Sequence, residues 1–306
     1  MGKNLLIPKR LTLETVFGCN ASCPMCAINL PTKRKKGIMS PEISKYVLDE
    51  MAKYTNQIHQ LDFFGLGEPL LDPYLFKRIK YAKEKGFQNT GVSTNADLLD
   101  KEKQKKLLET GIDTVLFSID GVKKETHEKI RRGVKFERVV ENCRSIMKMR
   151  DEGNYKTRFV IRFIKQDINK DEWEPFKKFW KPILSKEKND SMIRYDMHTW
   201  GGEVFAKDTI LRSRNRNPEI EKKSCHRIWE LLIILADGTV PLCNEDELHA
   251  KYNFGNVKDK SPLEIFNCEK FNRIRQIHLG GKKNTLDICK ECTVLYSEAA
   301  QRKEGN

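Results

Sequence analysis

Three cysteines near the N-terminus carry the clearest chemistry in this chain. They lie in the run CNASCPMC as Cys19, Cys23 and Cys26, with the spacing C-x3-C-x2-C. A cubane [4Fe–4S] cluster has four irons and normally takes four cysteine thiolates. Three thiolates leave one iron without a protein ligand, so that iron can bind and reduce a small molecule. The spacing therefore predicts an iron–sulfur centre with one open iron.

Two plainer interpretations of these cysteines compete with a cluster. One is a zinc knuckle, and the other is a group of buried thiols. Zinc prefers a fourth Cys or His ligand close by, and none follows within the loop.

The elements around the cysteine loop follow the pattern of an α/β barrel. An apolar, β-prone segment precedes the loop, so the loop follows the C-terminal end of a first strand, where such barrels keep their chemistry. Strand-like and helix-like segments then alternate to about residue 200, which predicts a parallel sheet of βα units. The predicted strands are Leu11–Phe17, Gln60–Gly65, Asn89–Thr94, Thr114–Ile119, Thr157–Ile164 and Met192–Met197. The predicted helices are Pro41–Tyr54, Pro73–Lys85, Lys101–Thr110, Phe136–Asp151 and Asp171–Lys181.

Composition limits the class of protein. The chain has 306 residues and a formal net charge of +14, but its lysines are scattered rather than aligned with aromatic residues. We therefore expect a solvated basic surface rather than nucleic acid binding, with RNA binding as a minority alternative. The N-terminus lacks the apolar run of a signal peptide, and no stretch approaches the about 18 apolar residues of a membrane span. We expect a cytoplasmic protein, independent of membranes, whose nine cysteines serve as metal ligands more than as disulfide partners.

The cysteine spacing resembles that of the radical S-adenosylmethionine (SAM) superfamily. In that family the open iron chelates the methionine moiety of SAM, and an electron from the cluster splits SAM into methionine and a 5′-deoxyadenosyl radical. The resemblance implies an α/β fold class, with a partial (β/α)6 TIM-like barrel followed by a small α+β iron–sulfur domain. We assign residues 1–200 to the barrel. We assign residues 201–306 to a linker, including the polar stretch 207–223, and to the second domain.

Short motifs at the ends of successive predicted strands are similar to SAM-binding motifs of the superfamily. FFGLGEP contains Gly67 and Glu68 and resembles a Gly-Gly-Glu-Pro motif with one residue inserted, which implies that Glu68 binds the methionine amino group. THEKIRRG contains Arg131, which matches an arginine that pairs with the SAM carboxylate, although Arg132 could take that role. The other implied SAM contacts are Met25, Asn95, Ser118 and Ile164.

A second group of cysteines follows residue 224. A G-x4-C pattern ends at Cys243, and a C-x2-C pair lies near the C-terminus. With its context CHRIWELLIILADGTVPLCNED, the group resembles the twitch domain, the short form of the SPASM auxiliary-cluster domain. A zinc ribbon is the leading alternative. We expect Cys143 and Cys268 to be buried thiols. The resemblance implies a second [4Fe–4S] cluster with four protein ligands, namely Cys225, Cys243, Cys289 and Cys292.

A fully ligated auxiliary cluster suits electron transfer or a structural role. The arrangement is similar to that of aminocyclitol dehydrogenases such as 2-deoxy-scyllo-inosamine dehydrogenase, which implies oxidation of a sugar, cyclitol or nucleotide-linked metabolite. Lys and Arg residues near the predicted barrel mouth, including Arg194, are compatible with an anionic substrate. An electron donor such as flavodoxin or ferredoxin is also implied. The alternatives are modification of a peptide or protein side chain and radical epimerisation. The oxidation needs a proton acceptor, and the candidate catalytic residues are Arg194, Glu245 and Asp246.

Overall fold

The computed structural model describes residues 5–204 and 218–296, and its largest element is a parallel sheet. In chain order the strands are β1 (Arg10–Leu13), β2 (Val16–Phe17), β3 (Gly37–Ile38), β4 (Gln60–Asp62), β5 (Thr90–Thr94), β6 (Thr114–Ser118), β7 (Arg158–Lys165), β8 (Ser191–Asp196) and β9 (Leu231–Ile234). Seven of them form one sheet in the order β8-β7-β6-β5-β4-β1-β9, with every neighbouring pair parallel. β2 and β3 form a separate antiparallel pair.

Helices connect the sheet strands, as parallel pairing requires. They are α1 (Pro41–Ala52), α2 (Leu75–Glu84), α3 (Lys101–Glu109), α4 (Lys124–Ile130), α5 (Phe136–Glu152), α6 (Trp173–Trp180), α7 (Pro218–Lys222), α8 (Arg227–Glu230), α9 (Pro262–Phe266), α10 (Glu269–Leu279) and α11 (Asp287–Lys290). The seven-stranded parallel sheet and its helices confirm the predicted α/β class, a partial TIM-like barrel with a small C-terminal domain.

The sequence predictions and the observed elements differ at a few places. The first predicted strand is split into β1 and β2, and α4 was not predicted because its residues were interpreted only as a motif. Of the predicted linker, residues 207–217 lie outside the described residues, while α7 covers most of the remainder. β9 is a further strand beyond the six predicted ones, and it pairs in parallel with β1, with Leu232 beside Leu11. The C-terminal part of the chain thus contributes a strand to the main sheet.

Successive side chains along β7 and β8 point alternately to the helix-facing side of the sheet and to the barrel interior. Phe163 packs against Phe176 and Trp173 of α6, with ring centroids 5.0 and 5.5 Å apart. Arg162 and Ile164 therefore point to the opposite side, into the barrel. None of the helices in the described ranges combines the length and apolarity needed to cross a membrane.

A buried ion pair holds α5 to the loop before β8. Nη1 of Arg150 donates to Oδ1 of Asp190 at 2.6 Å, and neither side chain has any exposed area. The backbone N–H of Phe159 donates to the same carboxylate oxygen at 2.7 Å, and the Arg150 guanidinium lies 4.7 Å from the Phe159 ring centroid. The pair therefore joins a helix, a strand and a loop at one point.

Replacing Arg150 with Met should destabilise the protein strongly. It would leave the Asp190 carboxylate buried without its counter-charge, which costs about 3–5 kcal/mol. Lys148→Met is the matched control on the same helix, because Lys148 pairs with Glu152 at 3.6 Å with both side chains exposed, and such pairs contribute about 0–1 kcal/mol. Thermal unfolding of anaerobically purified protein should show a midpoint several degrees lower for Arg150→Met alone. Equal midpoints for the two variants would contradict this assignment.

Candidate functional site

One cavity of about 380 Å3 lies at the carboxyl ends of the barrel strands and collects most of the residues singled out from the sequence. The first cysteine loop forms part of its wall, and residues that follow β4, β5, β6 and β8 form much of the rest. The sequence-predicted residues that line it are Cys19, Cys23, Met25, Cys26, Gly67, Glu68, Asn95, Ser118, Arg131, Ile164 and Glu245.

The cysteine loop is held in a tight conformation by backbone hydrogen bonds. The N–H of Cys26 donates to the carbonyl of Cys23 at 3.0 Å, and the N–H of Ser22 donates to the carbonyl of Arg132 at 2.8 Å. Burial raises the pKa of Cys19 to about 11 and that of Cys26 to about 12. Metals bind thiolates rather than thiols, so ionisation here needs nearby positive charge of the kind that irons supply. The three thiols on one cavity wall fit a cluster with an open iron.

Gly67 brings the Glu68 turn against the start of the cysteine loop. A Cβ atom at position 67 would lie 2.2 Å from the carbonyl oxygen of Val16 and 2.8 Å from that of Gly18. The N–H of Glu68 donates to the Gly18 carbonyl at 2.9 Å. A glycine is therefore required for contact between two protein loops, and this contact places Glu68 next to the cysteines.

Glu68 is a buried carboxylate held by three donors. It accepts from the Thr94 hydroxyl at 2.6 Å and from the backbone N–H groups of Asn95 and Leu70 at 2.8 and 3.1 Å. Burial raises the pKa of Glu68, and these hydrogen bonds partly oppose the rise. Among the described residues, Oε2 accepts only from Asn95, so it can accept one more donor from the cavity. An amino group of a ligand would satisfy that capacity.

Arg131 and Arg132 are clearly distinguished by the structure. Nε of Arg131 donates to Oδ2 of Asp120 at 2.7 Å, and the side chain lines the cavity beside Cys23. Burial alone would lower the pKa of Arg131, but Asp120 and the cysteines raise it, so the guanidinium is charged. Arg132 is exposed. Asp120 also accepts from the N–H of Ile164 at 2.6 Å, which fixes the arginine at the end of β7.

Arg162 is a cavity residue that the sequence analysis missed. Its Nη2 donates to the hydroxyl of Ser118 at 2.7 Å, and the side chain lines the cavity. The signal was present in the sequence, because a charged residue stands at an inward position of an otherwise apolar strand.

His198 and Glu245 form a polar pair on the wall contributed by the C-terminal half of the chain. Nδ1 of His198 lies 3.1 Å from Oε2 of Glu245, and the N–H of Gly201 donates to the same oxygen at 3.0 Å. Burial raises the pKa of Glu245, but His198 and Arg227 lower this pKa by more than burial raises it, so the net shift is downward. The indole N–H of Trp200 donates to the carbonyl of Met25 at 2.9 Å. This wall is therefore tied directly to the first cysteine loop.

Two predicted catalytic residues lie outside the cavity lining. Arg194 stands beside Phe163 in the sheet register, so its side chain is on the helix-facing side, with its guanidinium 5.4 Å from the Trp173 ring centroid. Asp246 is buried, and its carboxylate accepts from backbone N–H groups of Leu242, Lys251 and Tyr252 at 2.8–3.2 Å. Asp246 thus shapes a turn. The structure therefore places neither Arg194 nor Asp246 where the sequence predicted a substrate contact, and we do not assign them a catalytic role.

The second cysteine set surrounds a smaller cavity of about 30 Å3. Its lining contains all four predicted ligands, and Glu245 and Arg227 line both this cavity and the larger one. Burial raises the pKa of Cys289 to about 12. In the described parts of the chain, no three His, Cys, Asp or Glu side chains are grouped at the spacing of a single metal ion. The four thiols instead line the walls of a common space, and this donor set suits a cluster.

His278 adds a neighbour to this second set that the sequence analysis did not consider. Its Nδ1 accepts from the N–H of Cys225 at 3.3 Å, and its Nε2 lies 3.6 Å from Sγ of Cys289. Burial and Lys283 lower the pKa of His278 to about 4, so the ring is neutral. With Nδ1 accepting, Nε2 carries the proton and points it at a sulfur, as is common around metal ligands.

The remaining cysteines lie away from both cavities. Cys143 is fully buried on α5. Cys268 is only partly buried and caps α10, where its sulfur accepts from the N–H of Phe271 at 3.4 Å. Both are absent from the cavity linings, as expected for thiols that are not ligands.

Iron content tests the division of the thiols into two sets. Anaerobically reconstituted protein should hold about eight irons, and the triple substitution of Cys19, Cys23 and Cys26 by Ala should leave about four. Cys268→Ala is the matched control and should retain the full content, because Cys268 borders neither cavity. Zinc in the second site of protein handled without oxygen, or iron loss in the control, would contradict the assignment.

Comparisons with known proteins agree with this geometry. A protein of Pyrococcus furiosus, described as a tungsten-containing aldehyde ferredoxin oxidoreductase cofactor-modifying protein, is 25% identical over 94% of this chain and 87% of its own length. The crystal structure of BtrN in complex with AdoMet and 2-DOIA superposes with a TM-score of 0.64 at 18% identity, covering 94% of this chain and 93% of BtrN. Streptococcus suis SuiB bound to the precursor peptide SuiA gives a TM-score of 0.67 at 14% identity, covering 96% of this chain and 72% of SuiB.

Two family matches cover the two cysteine sets. Residues 13–164 match the radical SAM superfamily, and residues 225–293 match the SPASM iron–sulfur cluster-binding domain. The first match contains Cys19, Cys23 and Cys26, and the second contains the four C-terminal thiols. The chain therefore belongs to the radical SAM superfamily, with a C-terminal SPASM-type domain, and its cofactors are SAM and two [4Fe–4S] clusters.

Proposed function

We propose that this protein is a radical SAM dehydrogenase that oxidises a hydroxyl-bearing carbon of a small polar metabolite. The observation that carries the proposal is the His198–Glu245 pair, which faces the same cavity as the first cysteine loop. Dehydrogenation of an alcohol requires loss of a hydrogen atom, a proton and an electron. The bound cofactors supply a 5′-deoxyadenosyl radical for hydrogen abstraction and an acceptor for the electron, which leaves the proton to a protein side chain.

Glu68 and Arg131 are the residues we assign to SAM. The free acceptor capacity of Glu68 Oε2 suits the methionine amino group. The guanidinium of Arg131 suits the carboxylate, because it is charged and held in place through Asp120. Both side chains face the cavity that the three cysteines also line. Met25 and Ile164 supply apolar surface there for the remainder of the ligand.

His198 is the residue we assign as proton acceptor. Its side chain is 31% exposed, whereas that of Glu245 is 2% exposed, so the histidine is the member of the pair that a substrate can reach. A carboxylate can only accept hydrogen bonds, so Glu245 places the proton of a neutral imidazole on Nδ1. Nε2 is then left as the basic nitrogen. Glu245 would stabilise the imidazolium after proton transfer.

The comparisons support a small-molecule substrate without identifying it. BtrN, which shares the fold, was solved with AdoMet and 2-DOIA. The sequence resemblance to aminocyclitol dehydrogenases points in the same direction. A second candidate is modification of an enzyme cofactor, which the Pyrococcus furiosus relative favours because the similarity extends over nearly the whole chain. The two candidates differ in the molecule that is changed, so mass spectrometry of free metabolites and of the enzyme cofactor separates them.

SAM binding should depend on Arg131 and not on its neighbour. Arg131→Gln should weaken SAM binding by about tenfold to a hundredfold, as expected for loss of a hydrogen bond to a charged group worth about 1.5–3 kcal/mol. Arg132→Gln is the matched control and should bind SAM like the parent protein, since Arg132 is exposed. Calorimetric titration of the unreduced holoenzyme with SAM measures both. Equal affinities in the two variants would contradict the assignment of Arg131.

The reaction should yield a product two hydrogens lighter than the substrate and consume one SAM per turnover. Candidate metabolites are drawn from the gene neighbourhood and assayed anaerobically by mass spectrometry. His198→Gln should lower product formation by about a hundredfold or more, while release of 5′-deoxyadenosine continues. His249→Gln is the matched control, because His249 pairs with Glu203 at 3.5 Å and does not line the cavity. A product of unchanged oxidation level would reject the proposed dehydrogenation.

A further inference from the structure

Arg162 lies inside the barrel and is held by two serine hydroxyls. Its Nη2 donates to Ser118 at 2.7 Å and to Ser93 at 3.3 Å, and its buried Nε has no hydrogen-bond partner within residues 5–204 and 218–296. No carboxylate of the described residues lies within ion-pair distance of its guanidinium. The side chain is partly exposed, and it lines the cavity that also contains the first cysteine loop. It is thus a cation that faces an internal cavity and donates to neutral hydroxyl groups, while the Asp120 carboxylate stabilises its charge without direct contact.

This arrangement is unfavourable for the protein alone. A guanidinium removed from bulk water costs free energy unless it is paired, and serine hydroxyls are neutral acceptors. Burial and the nearby Arg131 lower the pKa of Arg162 to about 10, which leaves it protonated at neutral pH. The two serines come from β5 and β6 and fix the direction of the guanidinium. Its Nε–H is buried and has no acceptor among the residues that the structure describes.

Arg131 and Arg162 stand at different depths in the cavity. Arg131 is tied to the end of β7 through Asp120, which accepts from the N–H of Ile164. Arg162 lies two residues earlier on the same strand, which places it about 7 Å deeper along the barrel wall at about 3.3 Å per residue. Arg131 is in direct contact with the carboxylate of Asp120, whereas Arg162 interacts with that carboxylate without an ion-pair contact. The two guanidinium groups are therefore held by different partners.

We propose that Arg162 binds an oxyanion of the substrate, a phosphate or a carboxylate, deeper in the barrel than SAM. Ser93 and Ser118 orient the guanidinium so that its remaining N–H groups face the anion, an arrangement suited to bidentate recognition. The inference rests on the proposed function in so far as Arg131 is the residue that takes the carboxylate of SAM. The inference specifies an anionic substrate. It assigns binding of the anion to Arg162 inside the barrel rather than to Arg194, the residue that the sequence suggested.

Anion binding to the SAM-loaded, unreduced holoenzyme tests this site. Inorganic phosphate and acetate are titrated separately, and binding is followed by calorimetry. The parent protein should bind at least one of the two probes, and the stronger probe indicates a phosphate or a carboxylate on the substrate. Arg162→Gln should weaken that binding by at least about tenfold, the loss expected for one charged hydrogen bond. Arg162→Lys, which keeps the charge but not the fork of donors, should retain part of it.

Arg158→Gln is the matched control on the same strand. Arg158 also donates to a serine hydroxyl, that of Ser191 at 2.8 Å, but it is exposed. The Arg158→Gln variant should bind the probes like the parent protein. A thermal midpoint equal to that of the parent protein shows that each variant is folded. Equal probe binding by Arg162→Gln and the parent protein, or no probe binding by the parent protein, would overturn the proposal.

SAM affinity in the same variants identifies the competing explanation. If Arg162 instead held the SAM carboxylate, Arg162→Gln would lose affinity for SAM but not for decarboxylated SAM, and the proposal would fall. We expect unchanged SAM affinity. Neither titration requires reduction or turnover. The titrations therefore test the anion site alone, whereas the mass of the product tests the proposed dehydrogenation.

Discussion

The buried ion pair between Glu14 and Arg34 is the contact on which the arrangement of the two cysteine sets depends. Glu14 follows β1, has no exposed side-chain area and accepts from the guanidinium of Arg34 and from the N–H of Ala236 after β9, the latter at 2.9 Å. Arg34 also donates to the carbonyl of Glu247 and lies 4.0 Å from the Phe17 ring centroid. Loss of the arginine would leave a buried carboxylate without its counter-charge, at a cost of about 3–5 kcal/mol.

The cavity has two walls of different origin, and this ion pair joins the two parts of the chain that form them. The first wall comes from the barrel, where Gly67 lets the Glu68 turn contact the start of the cysteine loop. The second comes from the C-terminal half, where Glu245 borders both the large cavity and the space between the four C-terminal thiols. The Trp200–Met25 hydrogen bond is a second tie between these walls. Because Glu245 borders both spaces, a substrate at the proposed position beside His198 would lie near both cysteine sets.

Sequence patterns predicted elements better than the directions of side chains. The strands were placed within a few residues because apolar runs and turn residues mark them. α1 begins at Pro41 as predicted, and the hydroxyl of Ser40 before it accepts from the N–H of Ile43 at 3.3 Å. Arg194 was predicted from its place near a strand end, whereas its register beside Phe163 puts its side chain on the helix-facing side of the sheet. The same alternation would have found Arg162. The Glu14–Arg34 pair and the β1–β9 pairing join residues far apart in sequence, and no local pattern predicts such contacts.

The most direct test of this account is a crystal structure of the anaerobic holoenzyme with SAM. We expect one cluster held by Cys19, Cys23 and Cys26 with SAM on its open iron, the SAM carboxylate against Arg131, and a second cluster held by Cys225, Cys243, Cys289 and Cys292. His198 should face the space beside the 5′ carbon of SAM, with Arg162 left for a second ligand. SAM bound outside the large cavity, or a second site without an iron–sulfur cluster, would contradict the account.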